Sequence, residues 1–487
     1  MNFVQNIVDI AARQPDHPAL IEGDRTLTYR EMINAVVAMA AQLGSLGVAK
    51  GDVVGLLLRD NIDHILAVFA AGWLGAGSAS LDWRAKPNES RRALGQLGVR
   101  CVLLERPDPA FSKWNGVSLD ALANTPVTRP APAEPVPAPN APYLVLMTSG
   151  TTGNPHGVEV SHEDFMHRTQ RGSPTHAVDA SDRYLSVSPL CFSGGKNWLH
   201  VALFTGATAV LHPTLFSAQD YVDAVRRHAI TWGSLVPATA RSLLDFSRAM
   251  DDGGRRASML FPDFKLLSVG ADALSAGEKL EIRERLTPNL YTNYSTSATG
   301  KISILMPSQM ESHGASVGRP LNKVTVEIVD RDGRPLAVDC DGLIRCRAPG
   351  IRPEAANAKN HKSDGWYYTD DTGRLDRDGF LYISGRISDI IIRGGTNIVP
   401  AEIESTIADM DGVTDVAVVG KPSPNLGESV TAFVVGNADL TADAVKRHCR
   451  SILSPHKVPE EVHIVGTLPR TTSGKVIKRS LTERFQQ

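Results

Sequence analysis

Between Leu146 and His162 the chain reads LMTSGTTGNPHGVEVSH, a strand-like apolar run that enters a turn dense in glycine and hydroxyl side chains. Glycines let backbone N–H groups come close to a bound group, and Thr148, Ser149, Thr151 and Thr152 add side-chain donors around Gly150 and Gly153. Such a concave set of donors suits an anion, and above all the phosphates of a nucleotide. It is not a Walker loop, because that motif needs G-x-x-x-x-G-K-[ST], and here three residues separate Gly153 from Gly157 with no lysine following. Taken alone, a Gly/Ser/Thr-rich stretch is more often an ordinary turn than a binding loop.

The elements that must position this loop alternate in type. Upstream, β-rich runs at Val53–Leu58 and Cys101–Glu105 flank a helical one at Ile62–Leu74; downstream, strand-like Tyr184–Val187, Thr208–His212 and Leu266–Val269 are separated by helical stretches. This is the texture of an α/β protein with mainly parallel sheets. The loop itself is expected to lead into a helix capped by Ser161, and Ser275 with Glu278 stands at capping-box spacing ahead of another. Asp332-Gly333 and Asp378-Gly379 mark hairpin turns. After Gly385 the texture changes: Pro400–Met410 and Leu440–Leu453 read as helices, Asp415–Val419, Val430–Val435 and Val462–Val465 as strands. That is a small α+β domain of about a hundred residues. The proline-rich stretch Pro126–Pro142 reads as a stiff surface connection.

A chain of 487 residues exceeds what one core usually serves. Its 51 basic and 53 acidic residues leave a formal charge of -2, which gives no bias toward nucleic acid or a membrane surface. Five cysteines without CxxC spacing point to neither a disulfide framework nor a zinc site, so a reducing, cytoplasmic setting is expected. The first residues, MNFVQNIVDIAARQ, place Phe3, Val4, Ile7, Val8 and Ala11 on one helical face and read as a surface helix instead of a signal peptide. The most apolar run, Ile65–Leu81, is broken by Gly72, Gly75 and Gly77 and reads as core, not as a membrane span.

Three segments in order carry a resemblance. TSGTTGNPHG resembles the phosphate loop of the superfamily of acyl- and aryl-CoA synthetases, peptide-synthetase adenylation domains and luciferases. GWYYTDDTGRLDRDGFLYISGRISDIIIRGGTNIVPAEIE, Gly365–Glu404, is similar to its second hallmark, and LPRTTSGKVIKR, Leu468–Arg479, to its C-terminal lysine motif. The resemblance implies a large N-terminal domain, 1–386, that binds ATP and acid, and a small mobile domain, 387–487, that carries a catalytic lysine. It implies ATP-dependent activation of a carboxylic acid to an acyl-AMP, then transfer to a thiol. CoA is the expected acceptor; a separate acyl carrier protein or an amine, or a degenerate protein that only binds nucleotide or acyl group, are the alternatives.

The resemblance also assigns roles. Asp371 would accept hydrogen bonds from both ribose hydroxyls, as a carboxylate suits a vicinal diol. Arg386 would add a planar donor fork near ribose or phosphate, and Tyr294 would stack on adenine. Lys475 would hold the substrate carboxylate against the α-phosphate, two anions that otherwise repel. Ser388 and Asp389 would lie at a hinge, with Gly394 and Gly395 either lining a pantetheine passage or forming a simple turn. The acyl pocket is expected from Phe192, Ser193, Gly194, Lys196, Gly270, Ala271 and Asn293. Ser193 stands where α-amino-acid-selecting domains carry an aspartate, which disfavours a standard amino acid. An inward Lys196 would signal a second acidic or electron-rich group on the substrate, while a lysine on the helix rim is the blander reading.

Four positions depart from the family pattern. Ala298 replaces the usual glutamate associated with Mg²⁺, and a methyl group cannot ligate a hard cation. His156 replaces a phosphate-loop lysine, Ser388 a Lys or Asp, and Leu343 a frequent glutamate. The chain ends at Gln487 soon after the lysine motif, so any acceptor thiol is expected to come from outside.

Overall fold

The computed structural model describes residues 2–148, 156–172, 178–214, 216–252, 256–352, 364–393, 396–423, 426–470 and 476–483. Ser149, Gly150, Thr151, Thr152, Gly153, Gly394, Gly395 and Lys475 lie outside the described residues.

Two large sheets form the body, as the alternating pattern predicts. A six-stranded sheet runs in the order Gly116–Ser118, Cys101–Leu104, Val53–Leu57, Gly77–Ser80, Pro142–Thr148, His156–Ser161, parallel except for its last pair. A nine-stranded sheet holds Trp232–Leu235, Leu266–Val269 and Leu290–Thr296 in parallel register beside the antiparallel Gly300–Leu305. Their inner strands are buried on both faces, so they read as apolar runs without alternation.

The helix Ile62–Trp73 buries every residue except Asp63. Among the described residues no helix is long and apolar enough to cross a membrane. A Cβ on its Gly72 would stand 2.8 Å from the Tyr143 ring and 2.9 Å from Val4, so the glycine is what lets the N-terminal helix dock. That helix, Phe3–Arg13, fully buries Phe3, Val4 and Ile7, each side chain contributing about 1.5–3 kcal/mol. Ile10 completes the buried face; Val8 and Ala11, expected there, are half-buried at its margin.

The helix expected after the phosphate loop begins where its cap, Ser161, places it, at His162. Ahead of it His156–Ser161 forms a strand, paired antiparallel with Pro142–Thr148, that the sequence reading did not single out. Val158 and Val160 point to the buried side of this ladder, which is paired along Pro142–Thr148. The cap itself is as read, with Ser161 Oγ accepting the Asp164 N–H at 3.1 Å and Asp164 Oδ2 returning the bond.

Two smaller sheets follow. Thr325–Val329, Gly342–Arg347, Tyr367–Leu375 and Leu381–Arg386 form a four-stranded antiparallel sheet. All strands of the last, five-stranded sheet come from Ile391 onward, as does its own core of Ile391, Ile398, Ile403, Ile407, Val418 and Val430. The helices Pro400–Ala408 and Ala442–Ile452 pack there, giving the small α+β unit the texture predicts.

Candidate active site

The four-stranded sheet places Asp371 directly opposite Arg386, so a carboxylate and a guanidinium meet across one hairpin. The hairpin turn at Asp378-Gly379 sets that register, with Gly379 at φ +79°. Arg386 Nε donates to Asp371 Oδ1 at 3.0 Å, and the Tyr294 hydroxyl donates to Asp371 Oδ2. Asp371 is 4% exposed, and its own N–H is held by Thr369 Oγ1 at 3.2 Å. Asp370 just before it takes φ +64°, a left-handed conformation costly for a non-glycine residue and typical of functional sites. Burial and the neighbouring Asp371 charge push the Tyr294 phenol well above its ordinary pKa, so it stays a donor at any physiological pH.

Tyr294 belongs to the strand Leu290–Thr296, and Asn293 next to it turns to the opposite side of the pleat. Asn293 Nδ2 donates to Ser268 Oγ at 3.1 Å and lies 3.0 Å from where a Cβ on Gly270 would stand. Ala271 follows in a left-handed conformation, φ +79°. Gly270, Ala271 and Asn293 are therefore brought together at the ends of two parallel strands, where ligands of such sheets bind. Phe192 is the cap residue of the helix Ser193–Thr205, and Ser193 and Gly194 form its first turn. Gly195 is required there: a Cβ would stand 2.5 Å from Pro189 O and 2.7 Å from Ser188 O, so this turn packs against the segment before it.

Lys196 is not a rim lysine. It is 1% exposed, its Nζ has no hydrogen-bond partner among the described residues, and burial lowers its pKa to about 8. His64, Cys191 and the Asp60 carboxylate lie near enough for their charges and its own to influence one another.

A set of cations that sequence reading passed over stands beside Ala298. Arg168 and Arg171 share one face of the helix His162–Gly172. Arg168 donates to the carbonyl oxygens of Gly350, Ser297 and Ala298, and Arg171 to those of Pro349 and Thr299. Lys301, on the strand Gly300–Leu305, lays its ammonium 3.4 Å from the centroid of the Trp198 ring. Burial lowers Arg168 to about 10 and, with the Arg171 charge, Lys301 to about 7. The available signal was a lysine in GKISIL, a strand buried at every position.

The described residues do not fit a protein-held Mg²⁺. Ala298 offers a methyl group, its carbonyl already accepts from Arg168, and no cluster of three His, Cys, Asp or Glu among the described residues could hold a metal.

Ser388 and Asp389 lie in a 3-10 turn, Ile387–Asp389, between the strand ending at Arg386 and the one beginning at Ile391. Lys478 reaches Glu404 at 2.8 Å and Asp389 at 3.9 Å.

Comparison with known proteins identifies the family and the fold. The family model described as AMP-binding enzyme matches residues 8–353, and that of the AMP-binding enzyme C-terminal domain matches 402–475. The chain is 29% identical to an indoleacetate–CoA ligase of Aromatoleum aromaticum, over 96% of this chain and 95% of the other. It is 29% identical to a 2-succinylbenzoate–CoA ligase of Bacillus subtilis, over 96% and 95%. The o-succinylbenzoate CoA synthetase of Bacillus subtilis, solved with its acyl-adenylate intermediate, superposes with a TM-score of 0.86 at 27% identity, over 99% of this chain and 97% of that one. Solved with ATP and magnesium ion, the same synthetase gives a TM-score of 0.85 at 27% identity, over 99% of each chain. The chain belongs to the AMP-binding enzyme family and is an AMP-forming ligase.

Proposed function

We propose that the protein activates a carboxylic acid with ATP as an acyl-AMP, releasing pyrophosphate, and then transfers the acyl group to the thiol of CoA. The observation that carries this is Asp371, a buried carboxylate already accepting two donors, Arg386 and Tyr294, at the place the family resemblance gives to the ribose. The relatives named as CoA ligases over nearly the whole chain support the acceptor.

ATP would lie with its ribose hydroxyls on Asp371, its adenine on the Tyr294 ring and its phosphates along 148–153. The acid would enter between the first turn of the helix Ser193–Thr205 and the Gly270–Ala271 loop. An acid oxygen attacks the α-phosphorus, the bond to the bridging oxygen breaks, and pyrophosphate leaves with the electron pair. Lys475 would hold the two reacting anions together and offset charge on the phosphoryl oxygens. A thiolate then attacks the acyl carbonyl and AMP leaves. For the second step the small domain, 387–487, would turn about Ser388 and Asp389 and bring Gly394 and Gly395 to the acyl-AMP, where glycines leave room for a pantetheine arm. Since Ala298 supplies no ligand, any metal bound with ATP would be held by phosphates and water.

The test is pyrophosphate release from ATP and Mg²⁺ across a panel of acids, with and without CoA, beside Lys475→Ala. Acid-dependent release that the variant loses, quickened by CoA, is the expected result. Binding of ATP with no release for any acid would overturn adenylation; release indifferent to CoA would overturn the acceptor.

A further inference from the structure

Leu57 and Leu104 are register partners at the carboxyl ends of two neighbouring parallel strands, Val53–Leu57 and Cys101–Leu104. The chain leaves these ends in opposite directions. From Leu57 it runs through the helix Ile62–Trp73 to Gly77–Ser80 on one side of the pair, and from Leu104 to Gly116–Ser118 on the other. Such a divergence opens a crevice beyond the strand ends, the place where open α/β sheets take their ligands. A cavity of about 300 Å³ lies there, with Leu57 and Leu104 in its lining. It belongs to the six-stranded sheet, whereas Gly270, Ala271 and Asn293 stand at strand ends of the nine-stranded one.

Its walls differ in chemistry. Leu57, Leu104 and the buried Phe111 give an apolar floor. Trp83 gives an aromatic wall: its Nε1–H donates to Asp60 Oδ2 at 3.1 Å, which orients the ring, and the Arg59 guanidinium stands 5.5 Å from the ring centroid. Arg106, also in the lining, is exposed. Two acids complete the rim. Glu105 Oε1 accepts the Arg59 N–H at 2.7 Å and Asp108 Oδ1 the Ala110 N–H at 2.8 Å, so the backbone holds one oxygen of each carboxylate in place. A simple anion gains little from a rim with two cations and two acids. A nucleotide uses every part of it: a base for the Trp83 ring, phosphates for Arg59 and Arg106, and amino or hydroxyl donors for Glu105 and Asp108.

The crevice is tied to the reacting end of the molecule through Asp60. While one oxygen of this carboxylate holds Trp83, the other accepts the Leu190 N–H at 2.6 Å, and Leu190 is two residues before Phe192, the cap of the proposed acyl-pocket turn. Tyr294 and Asp371, where ATP is proposed to lie, are on the nine- and four-stranded sheets, so a ligand in this crevice does not compete with it.

We propose that the crevice receives the adenine nucleotide of CoA, with the base against Trp83 and the phosphates on Arg59 and Arg106, so that the pantetheine arm runs from it past Leu190 to the acyl-AMP. The assignment rests on the reading of CoA as acceptor and adds the residues that recognise it. A phosphopantetheine arm on a carrier protein has no base to place there.

The experiment follows acyl transfer from the acid that gives the fastest pyrophosphate release to either CoA or pantetheine, in the full chain and in Trp83→Ser, Trp83→Phe and Arg106→Ala. CoA is expected to exceed pantetheine in kcat/KM by about hundredfold, the scale of one stacked base with one charge-assisted phosphate contact. Trp83→Ser and Arg106→Ala each lower that preference about tenfold, through KM for CoA, while Trp83→Phe keeps it. Equal use of the two thiols would overturn the proposal, as would a preference that neither Trp83→Ser nor Arg106→Ala reduces. Losses of the same size with both thiols would also overturn it, since they place the fault at the acyl-AMP or in the fold. If neither thiol takes the acyl group, the acceptor reading fails, and calorimetry with the adenosine bisphosphate portion of CoA decides on the crevice alone. Binding that weakens about tenfold in Trp83→Ser and in Arg106→Ala supports it; no binding, or equal binding by all the variants, overturns it.

Discussion

The Tyr294 hydroxyl donates to the carboxylate of Asp371, although the two residues lie on strands of different sheets. With Arg386 on its other oxygen, Asp371 has both oxygens engaged. A ribose diol binding there finds a carboxylate already oriented, and it competes with or extends these bonds. Asp371→Asn keeps the shape but replaces one acceptor oxygen by a donor, which then faces Tyr294 or Arg386. A loss of about 2–4 kcal/mol in ATP binding and turnover, about thirtyfold to a thousandfold in kcat/KM for ATP, is expected. Steady-state kinetics beside a melting curve would check it, and an unchanged KM for ATP would remove Asp371 from the ribose.

Gly195 ties packing to the same site. A methyl group there meets two carbonyl oxygens of the segment Ser188–Pro189, and backbone gives less readily than a side-chain tip. Gly195→Ala should cost about 1–3 kcal/mol in stability and displace Phe192, weakening acid binding more than ATP binding. Denaturant melts with separate KM values for acid and ATP test this; equal losses for both substrates would mean a general fault of folding.

Arg168 holds three carbonyls of two loops that meet beside Ala298. Arg168→Met fills much of the same space but leaves those acceptors buried without donors, each worth about 1–3 kcal/mol where water cannot enter. A fall of about 3 kcal/mol or more in unfolding free energy is expected from urea titration. A change below about 0.5 kcal/mol would show that water replaces the guanidinium.

Local signals were readable wherever neighbouring residues decide the outcome. Ser275 and Glu278 form the capping box their spacing predicts, and Asp378-Gly379 makes its turn. The strand His156–Ser161 was not, because its stability comes from a ladder with Pro142–Thr148 across the loop and not from its own six residues. At the site, Asp371, Arg386 and Tyr294 were legible through motif resemblance, and the structure joins them by hydrogen bonds. The Arg171 and Lys301 pair was not legible. Its members are far apart in the chain and become neighbours only when the helix His162–Gly172 packs under the strand Gly300–Leu305. Lys196 shows the same limit, since sequence alone favours the rim of the helix, and packing puts it inside.

Three histidines make stability depend on pH. His64, His162 and His200 are at most 2% exposed, and burial lowers their pKa values to about 4, 3 and 4. His162 Nδ1 accepts the Phe3 N–H at 3.2 Å, and His200 bridges Lys196 O and the Tyr143 hydroxyl, so each neutral ring is built into the core. The folded pKa lies below the unfolded value of about 6.5, so the unfolded chain binds more protons between the two. Their stability is therefore complete above about pH 6.5 and is lost as pH falls toward 4, by up to about 1.4 kcal/mol per pH unit for each histidine. Urea titrations at pH 7 and pH 5.5 should show the midpoint falling. In His162→Gln, whose amide oxygen can still accept from Phe3, the slope should drop by one proton's worth. A midpoint that does not move between the two pH values would mean that these rings take up protons without leaving the core.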